Sequence, residues 1–146
     1  MRYILTSVLC GLALLAGCHH HKPAVQSHGL EVITVAPAHD RAVGIAVVQA
    51  HSALADWITN ADGSRSDPTY NAGSQTTKTG QGDQTKTACT RAYLEFQTKK
   101  LGPVRIETIH IPEKPIVLLI ETQSDEAAAE VHNTLLKELT QKCENP

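Results

Sequence analysis

Histidines are the side chains of this sequence with the clearest potential for chemistry. Three of them, His19-His20-His21, form a tract near the amino terminus, and His28 and His39 follow. Imidazole nitrogens bind Zn, Cu and Ni ions, and histidine-rich tracts can collect them. A dedicated site also needs ligands held in a fixed geometry, and the residues around the tract show no apolar pattern that would hold them. We therefore expect only weak, adventitious metal binding by His19, His20 and His21.

Two further histidines lie close in sequence to carboxylates, as general acid–base chemistry would require. His51 and Asp56 fall on the first predicted helix, and His110 and Glu107 fall on a predicted strand. Histidine titrates near neutral pH and often acts as a general acid or base. Nothing near these residues supplies a nucleophile or oxyanion donors in a definable geometry. We therefore predict no catalytic residues and a protein that is not an enzyme, with His51 at the surface or its boundary.

Two short segments match parts of known motifs, but neither motif is complete. Lys78-Thr79-Gly80 matches one element of penicillin-recognising serine enzymes, which also need a Ser-x-x-Lys motif that the sequence lacks. Gly80-Gln81-Gly82 lacks the third glycine of a dinucleotide-binding loop, and the sequence contains no Gly-Lys-Ser/Thr of a P-loop. We therefore expect no bound cofactor.

The amino-terminal segment has the composition of an export signal. Arg2 provides a positive charge, and the run from Ile4 to Ala16 contains no charged residue. This order is typical of a secretory signal peptide. The run is too short to span a bilayer as a helix, which takes roughly 20 apolar residues.

The end of this run is more specific than the run itself. Leu15-Ala16-Gly17-Cys18 resembles the lipobox of bacterial lipoproteins, in residue type, in spacing and in its position after an apolar run. The resemblance implies that Met1 to Gly17 are removed and that Cys18 carries a diacylglyceryl group and an acylated amine. The following residue is His19. An Asp at this position would resemble an inner-membrane retention signal, and the sequence does not have one there. For a Gram-negative host we therefore expect an anchor in the outer membrane facing the periplasm; an ordinary secreted protein is the alternative.

The remaining cysteines agree with export. Cys10 lies in the leader and Cys18 in the lipobox, which leaves Cys89 and Cys143 as an even pair in an oxidising compartment. We predict a disulfide between them, closing a loop of about 55 residues and stabilising the fold by roughly 4 kcal/mol in the chain-entropy model. The alternative is two separate buried thiols.

The first half of the mature chain predicts one strand and one helix. Residues 18–29 are expected to be a lipidated flexible tether, and Leu30 to Ala36 a β-branched strand. Arg41 to Asn60 shows apolar residues at helical spacing after Asp40, a candidate N-cap, which predicts a helix. Gly44 and the run Ile45-Ala46-Val47-Val48 leave a strand as the alternative for its first half. Trp57 is the large side chain of this helix; we expect it in the core, with a binding surface as the alternative. Residues 61–88 are polar without periodicity and are predicted to form a long loop.

The second half predicts an antiparallel meander and a final helix. Strands are expected at Ala92–Gln97, Val104–Ile111 and Ile116–Ile120, separated by short turns. A helix then follows the candidate caps Thr122 and Ser124. Its apolar stripe consists of Ala128, Val131, Leu135, Leu136 and Leu139, and Cys143 continues it.

These elements predict an α+β domain over residues 30–146, in the order β-α-loop-β-β-β-α, with a four-stranded, mainly antiparallel sheet and two helices on one face. The chain has 146 residues and a net charge of −2, which fits one domain and offers no basic face for nucleic acid. We expect a membrane-anchored envelope lipoprotein that acts as a non-catalytic binding or assembly module. Its partner would be an envelope protein or peptidoglycan, contacted through residues 61–88. A metal-handling lipoprotein that uses His19 to His21 is the alternative.

Overall fold

The fold is known from a computed structural model, which describes residues 29–66 and 71–144. In chain order the elements are β1 (Gly29–Val35), α1 (Asp40–Leu54), β2 (Ile58–Thr59), β3 (Arg65–Ser66), β4 (Asn71–Thr79), β5 (Lys86–Thr98), β6 (Gly102–His110), β7 (Ile116–Thr122) and α2 (Asp125–Glu144). The leader, Cys18, His19 to His21 and His28 lie outside the described residues.

The main sheet has five strands in the order β1-β7-β6-β5-β4, and every neighbouring pair is antiparallel. Strands β2 and β3 form a separate two-stranded hairpin. The predicted α+β class, the antiparallel sheet and the two helices are confirmed. The predicted count of four strands is wrong, because β4 is a fifth.

The core lies between the sheet and the two helices. Alternate residues of the meander point to this face, which we call the helix face, and the register pairs Leu94 with Ile106 and Ile106 with Ile120. Both helices bury apolar residues in the same cluster, α1 through Val43, Ala46 and Ala50, and α2 through Val131, Leu135 and Leu139. Leu136, which the sequence predicts to belong to the buried stripe of the last helix, is 45% exposed instead. Aliphatic side chains therefore make up almost all of the core, as the low aromatic content of 3% requires.

Helix α2 begins where the sequence predicts. The backbone N–H of Ala127 donates to Ser124 Oγ at 3.2 Å, so Ser124 is the N-cap, and Thr122 Oγ1 donates to Ser124 O at 2.7 Å. Gly29 of β1 lies directly against this turn, and a Cβ there would collide with Ser124 O. The turn therefore fixes β1 to the start of α2.

Helix α1 differs from the prediction at both ends. Asp40 is its first residue rather than its N-cap, and the residue before it, His39, makes no side-chain cap hydrogen bond. The helix stops at Leu54 instead of Asn60, since the Asp56 N–H donates to Gln97 O of β5 at 3.4 Å. The apolar pattern continues past Leu54, but the backbone N–H of Asp56 donates to the strand instead of to a carbonyl of the helix.

The predicted loop at residues 61–88 is wrong over half of its length, because β3, β4 and the start of β5 lie within it. β4 pairs with β5 from Asn71 opposite Glu95 to Thr79 opposite Lys86, with a bulge after Thr77. β6 pairs with β5 only from Thr90 onward, so the end of the β4–β5 hairpin extends beyond the rest of the sheet. Side chains on both faces of β4 are exposed or half-buried, which is why the strand shows no apolar alternation.

Candidate functional site

The face of the main sheet opposite the helices is the surface that we consider for function, and we call it the open face. The described helices both pack on the other face. Strand register arranges the open-face residues in three rows. The rows are Leu30-Glu121-Arg105-Glu95-Asn71, Val32-Leu119-Glu107-Tyr93-Gly73 and Thr34-Val117-Ile109-Arg91-Gln75.

Arg105 lies at the centre of a charged cluster on this face. Its Nη1 donates to Glu95 Oε1, its Nη2 lies 3.5 Å from Glu107 Oε2, and its Nε lies 3.6 Å from Glu121 Oε2. Only 13% of the Arg105 side chain is exposed. A guanidinium suits this position because its planar set of donors can serve several carboxylates at once.

A second guanidinium and an aromatic ring complete the cluster. Arg91 Nε donates to Glu107 Oε1 at 2.6 Å, and Arg105 Cζ lies 4.5 Å from the centroid of the Tyr93 ring. The charged cluster thus contains Glu95, Glu107 and Glu121 against Arg91 and Arg105. One negative charge is left over when every carboxyl is ionised.

Glu121 is the least compensated of these carboxylates. Burial raises its pKa above the ordinary value, Glu107 and Glu95 push in the same direction, and Arg105 and Arg91 only partly oppose the shift. Glu121 lies opposite Leu30 in the register. It therefore marks the border between the charged cluster and an apolar strip.

The apolar strip runs along β1 and β7. Leu30 is 59% exposed and Val32 is 48% exposed, and both point away from the core. Val117 and Leu119 beside them are half-buried, and Ile109 is buried. Exposed aliphatic side chains that adjoin one another form an apolar patch, a feature that marks contact surfaces when it is large.

The histidine–carboxylate pairs that the sequence offered do not assemble into a catalytic site. His110 points to the helix face, whereas Glu107, three residues before it, belongs to the open face. The nearest carboxylate to His110 that forms an ion-pair contact is Asp40, with Nδ1 4.0 Å from Oδ1.

His51 is buried, at 8% exposure, so its expected position at the surface or boundary is wrong. Its ring packs edge-on against Phe96, with centroids 4.8 Å apart, and lies 5.6 Å from the Trp57 ring. Trp57 packs against the core as predicted, although it follows α1 rather than lying on it. Its Nε1 donates to Ser52 O at 2.9 Å, and Arg65 lies 5.0 Å from the ring centroid.

The predicted disulfide is not part of this structure, because Cys89 and Cys143 are not bonded to each other. Cys89 lies on β5, where alternation from Arg91 and Tyr93 places it on the open face. Cys143 lies in the last turn of α2, which packs on the helix face. The sheet therefore separates the two thiols, which the sequence pattern of each element alone does not show.

Neither a metal site nor a membrane span is found in the part of the chain that the structure describes. Within residues 29–66 and 71–144, no three His, Cys, Asp or Glu side chains are grouped so that they could hold a metal ion. No described helix is both long and apolar enough to cross a membrane. The tract His19 to His21 lies outside these ranges.

Comparison with protein families, with curated proteins and with solved structures finds no match for this chain.

The sequence contains a signal for the open face that the expectations above do not use, namely charged residues at alternate positions of two strands. Arg91, Tyr93 and Glu95 alternate with the apolar residues of one strand, and Arg105 and Glu107 do so in the next. Charges of both signs on the same face of two adjacent strands predict cross-strand ion pairs.

Proposed function

We propose that this protein is an envelope lipoprotein, anchored through lipid on Cys18, whose domain is a non-catalytic module that binds a partner protein through the open face. The open face supports the binding proposal most directly. It combines the exposed Leu30 and Val32 with an ordered cluster of partly buried charges. The anchor rests on the lipobox Leu15-Ala16-Gly17-Cys18.

The chemistry of the open face favours a particular kind of partner surface. The apolar strip would receive aliphatic or aromatic side chains, which contribute most of the binding free energy at protein interfaces. Glu121 borders the strip, and its carboxylate is incompletely compensated. We therefore expect the partner to present an apolar patch with a lysine or arginine placed against Glu121, rather than a nucleic acid.

Site-specific photocrosslinking in the native host tests this proposal. A photoreactive residue at Val32 lies on the open face, and one at Val48, 63% exposed on α1, serves as the matched control. We expect a discrete adduct from position 32 and none of the same mass from position 48. Adding Leu30→Lys should remove the adduct at position 32 without lowering the melting temperature, because Leu30 is exposed.

Equal adducts from both positions would contradict the use of the open face. The same conclusion would follow if Leu30→Lys left the adduct at position 32 unchanged. A Glu121→Lys variant adds a charge test, since like charges across an interface oppose association. It should weaken the adduct more than a Glu31→Lys variant, whose site lies on the helix face of β1.

A further inference from the structure

A cavity between α1 and the sheet lies on the side of the molecule opposite the proposed partner-binding surface. Its volume is about 330 Å³, and its floor is aliphatic, formed by Leu94, Ile106 and Ile116 of the sheet with Val43 and Val47 of α1. Three of these side chains are nearly inaccessible to solvent: Ile106 and Ile116 at 1% and Val43 at 3%. Concave sites of this size with an aliphatic floor are typical of small-ligand pockets.

Two small residues line this cavity, Gly44 of α1 and Ala92 of β5. A Cβ built on Gly44 would have no neighbouring atom within 4 Å, so no close contact among the described residues requires a glycine there. Glycine inside a helix costs about 1 kcal/mol relative to alanine. Gly44 is exposed, so a larger side chain there would lie at the mouth of the cavity.

The polar groups that line the cavity include the Asp40 carboxylate, the His110 imidazole and the Thr108 hydroxyl. The Asp40 side chain is 67% accessible and the His110 side chain 38%, and His110 Nδ1 lies 4.0 Å from Asp40 Oδ1. The Thr108 hydroxyl donates to Ala92 O at 3.3 Å, which leaves its lone pairs as acceptors. An ionised aspartate is likewise an acceptor only. A ligand that fits would therefore have an aliphatic or aromatic body and a hydrogen-bond-donating head.

We propose that this cavity binds a small amphipathic amine, with its apolar body on the floor between α1 and the meander and its ammonium group against Asp40. The site is independent of the open face, since it lies on the helix face of the sheet.

Benzylamine, benzyl alcohol and benzoate form a matched probe series, with one body and three different heads. Binding is measured from amide shifts of the full chain carrying Cys18→Ser, so that neither lipid nor detergent competes for the cavity. We expect benzylamine to shift residues 43–47, 90–94 and 106–110, and to bind at least 5-fold more tightly than benzoate. Asp40→Asn should weaken benzylamine at least 3-fold and leave benzyl alcohol within 2-fold of its original affinity.

Gly44→Leu tests the site from the helix side, with Gly44→Ala as its control. Because leucine would cover the mouth of the cavity, the variant should lose benzylamine binding at least 10-fold while its melting temperature stays the same or rises. Gly44→Ala should raise the melting temperature and reduce binding by less. Ala92→Leu fills the cavity from the sheet and replaces Gly44→Leu if that variant does not fold.

Three results would overturn the proposal. The first is no shift of the cavity residues by any probe at 10 mM. The second is equal benzylamine binding by the parent protein and by a folded variant whose cavity is covered or filled. The third is benzoate binding as tightly as benzylamine, which would rule out the assigned head group.

Discussion

Arg105 is the residue on which the charged cluster of the open face depends. It contacts Glu95, Glu107 and Glu121, and its exposed fraction is small. Partly buried charges lose solvation, and their mutual attraction offsets that loss only while every partner is present. Truncating the shared cation therefore has a different consequence from truncating one of the three carboxylates.

Arg105→Met should lower the free energy of unfolding by about 3 kcal/mol near pH 7, because three partly buried carboxylates lose the cation that they share. The control is Lys100→Met. Lys100 donates to Glu130 at 2.7 Å but is 76% exposed, so its loss should cost below about 1 kcal/mol. Urea denaturation measures both. Equal losses would mean that the charged cluster adds nothing beyond surface ion pairs.

Glu121→Gln tests the raised pKa of that carboxyl. A folded-state pKa above the unfolded one means that the folded protein retains the proton over a range where the unfolded chain has lost it. The unfolding free energy contributed by Glu121 therefore falls as pH rises from the ordinary glutamate pKa through the raised one, and is restored at acid pH.

The glutamine variant lacks this titration. The unfolding free energy of the variant minus that of the parent protein should be larger at about pH 7 than at about pH 3.5. Urea denaturation at both pH values supplies the comparison. If the stability of the variant relative to the parent is greater at the lower pH, the pKa of Glu121 is lowered rather than raised.

Among the elements, β4 and its close approach to β5 support one side of the charged cluster. Gly73 lies opposite Tyr93, and a Cβ on Gly73 would fall 2.8 Å from Tyr93 Cε1. The Tyr93 ring in turn stacks on Arg105. A side chain at position 73 must therefore displace either β4 or the ring.

Gly73→Val should destabilise the domain by roughly 1–3 kcal/mol, as overpacking against a fixed neighbour does. Gln75→Val introduces the same side chain on the same strand and face at an exposed position. We expect that control to remain within about 0.5 kcal/mol of the parent protein. Thermal melts compare the two variants. Equal stability of both would show that Tyr93 moves without cost.

The elements that sequence predicted correctly are those with one buried face. β5, β6 and α2 carry apolar residues at the period of their structure, and β7 is a continuous apolar run after a turn, so their patterns identify them. β4 was missed because neither of its faces is buried. Its threonines favour strand, but without apolar alternation the segment resembles a loop.

The candidate site could be predicted only in part. The charges of Arg91, Glu95, Arg105 and Glu107 occur at alternate positions in two strands, which indicates a shared face. Which strands flank the meander, and therefore which side chains complete the rows, depends on long-range pairing. The placement of β1 beside β7 adds Leu30 and Val32 to the face, and no local pattern contains that information.

For the whole molecule, the proposed anchor and the proposed binding surface are close in the chain. Residues 18–28 connect Cys18 to β1, the strand that carries Leu30 and Val32. Fully extended, these residues reach at most about 40 Å. Anchoring at Cys18 would therefore keep the start of β1, and with it Leu30 of the open face, close to that distance from the bilayer surface.

The intact mass of the protein purified from the envelope of its host tests the central claim most directly. We predict a chain that begins at Cys18 and carries added acyl groups. A Cys18→Ser variant should lose these groups and should no longer fractionate with the membrane. An unmodified chain that still contains Met1 to Gly17, or one cleaved elsewhere without lipid, would contradict the assignment as an anchored lipoprotein.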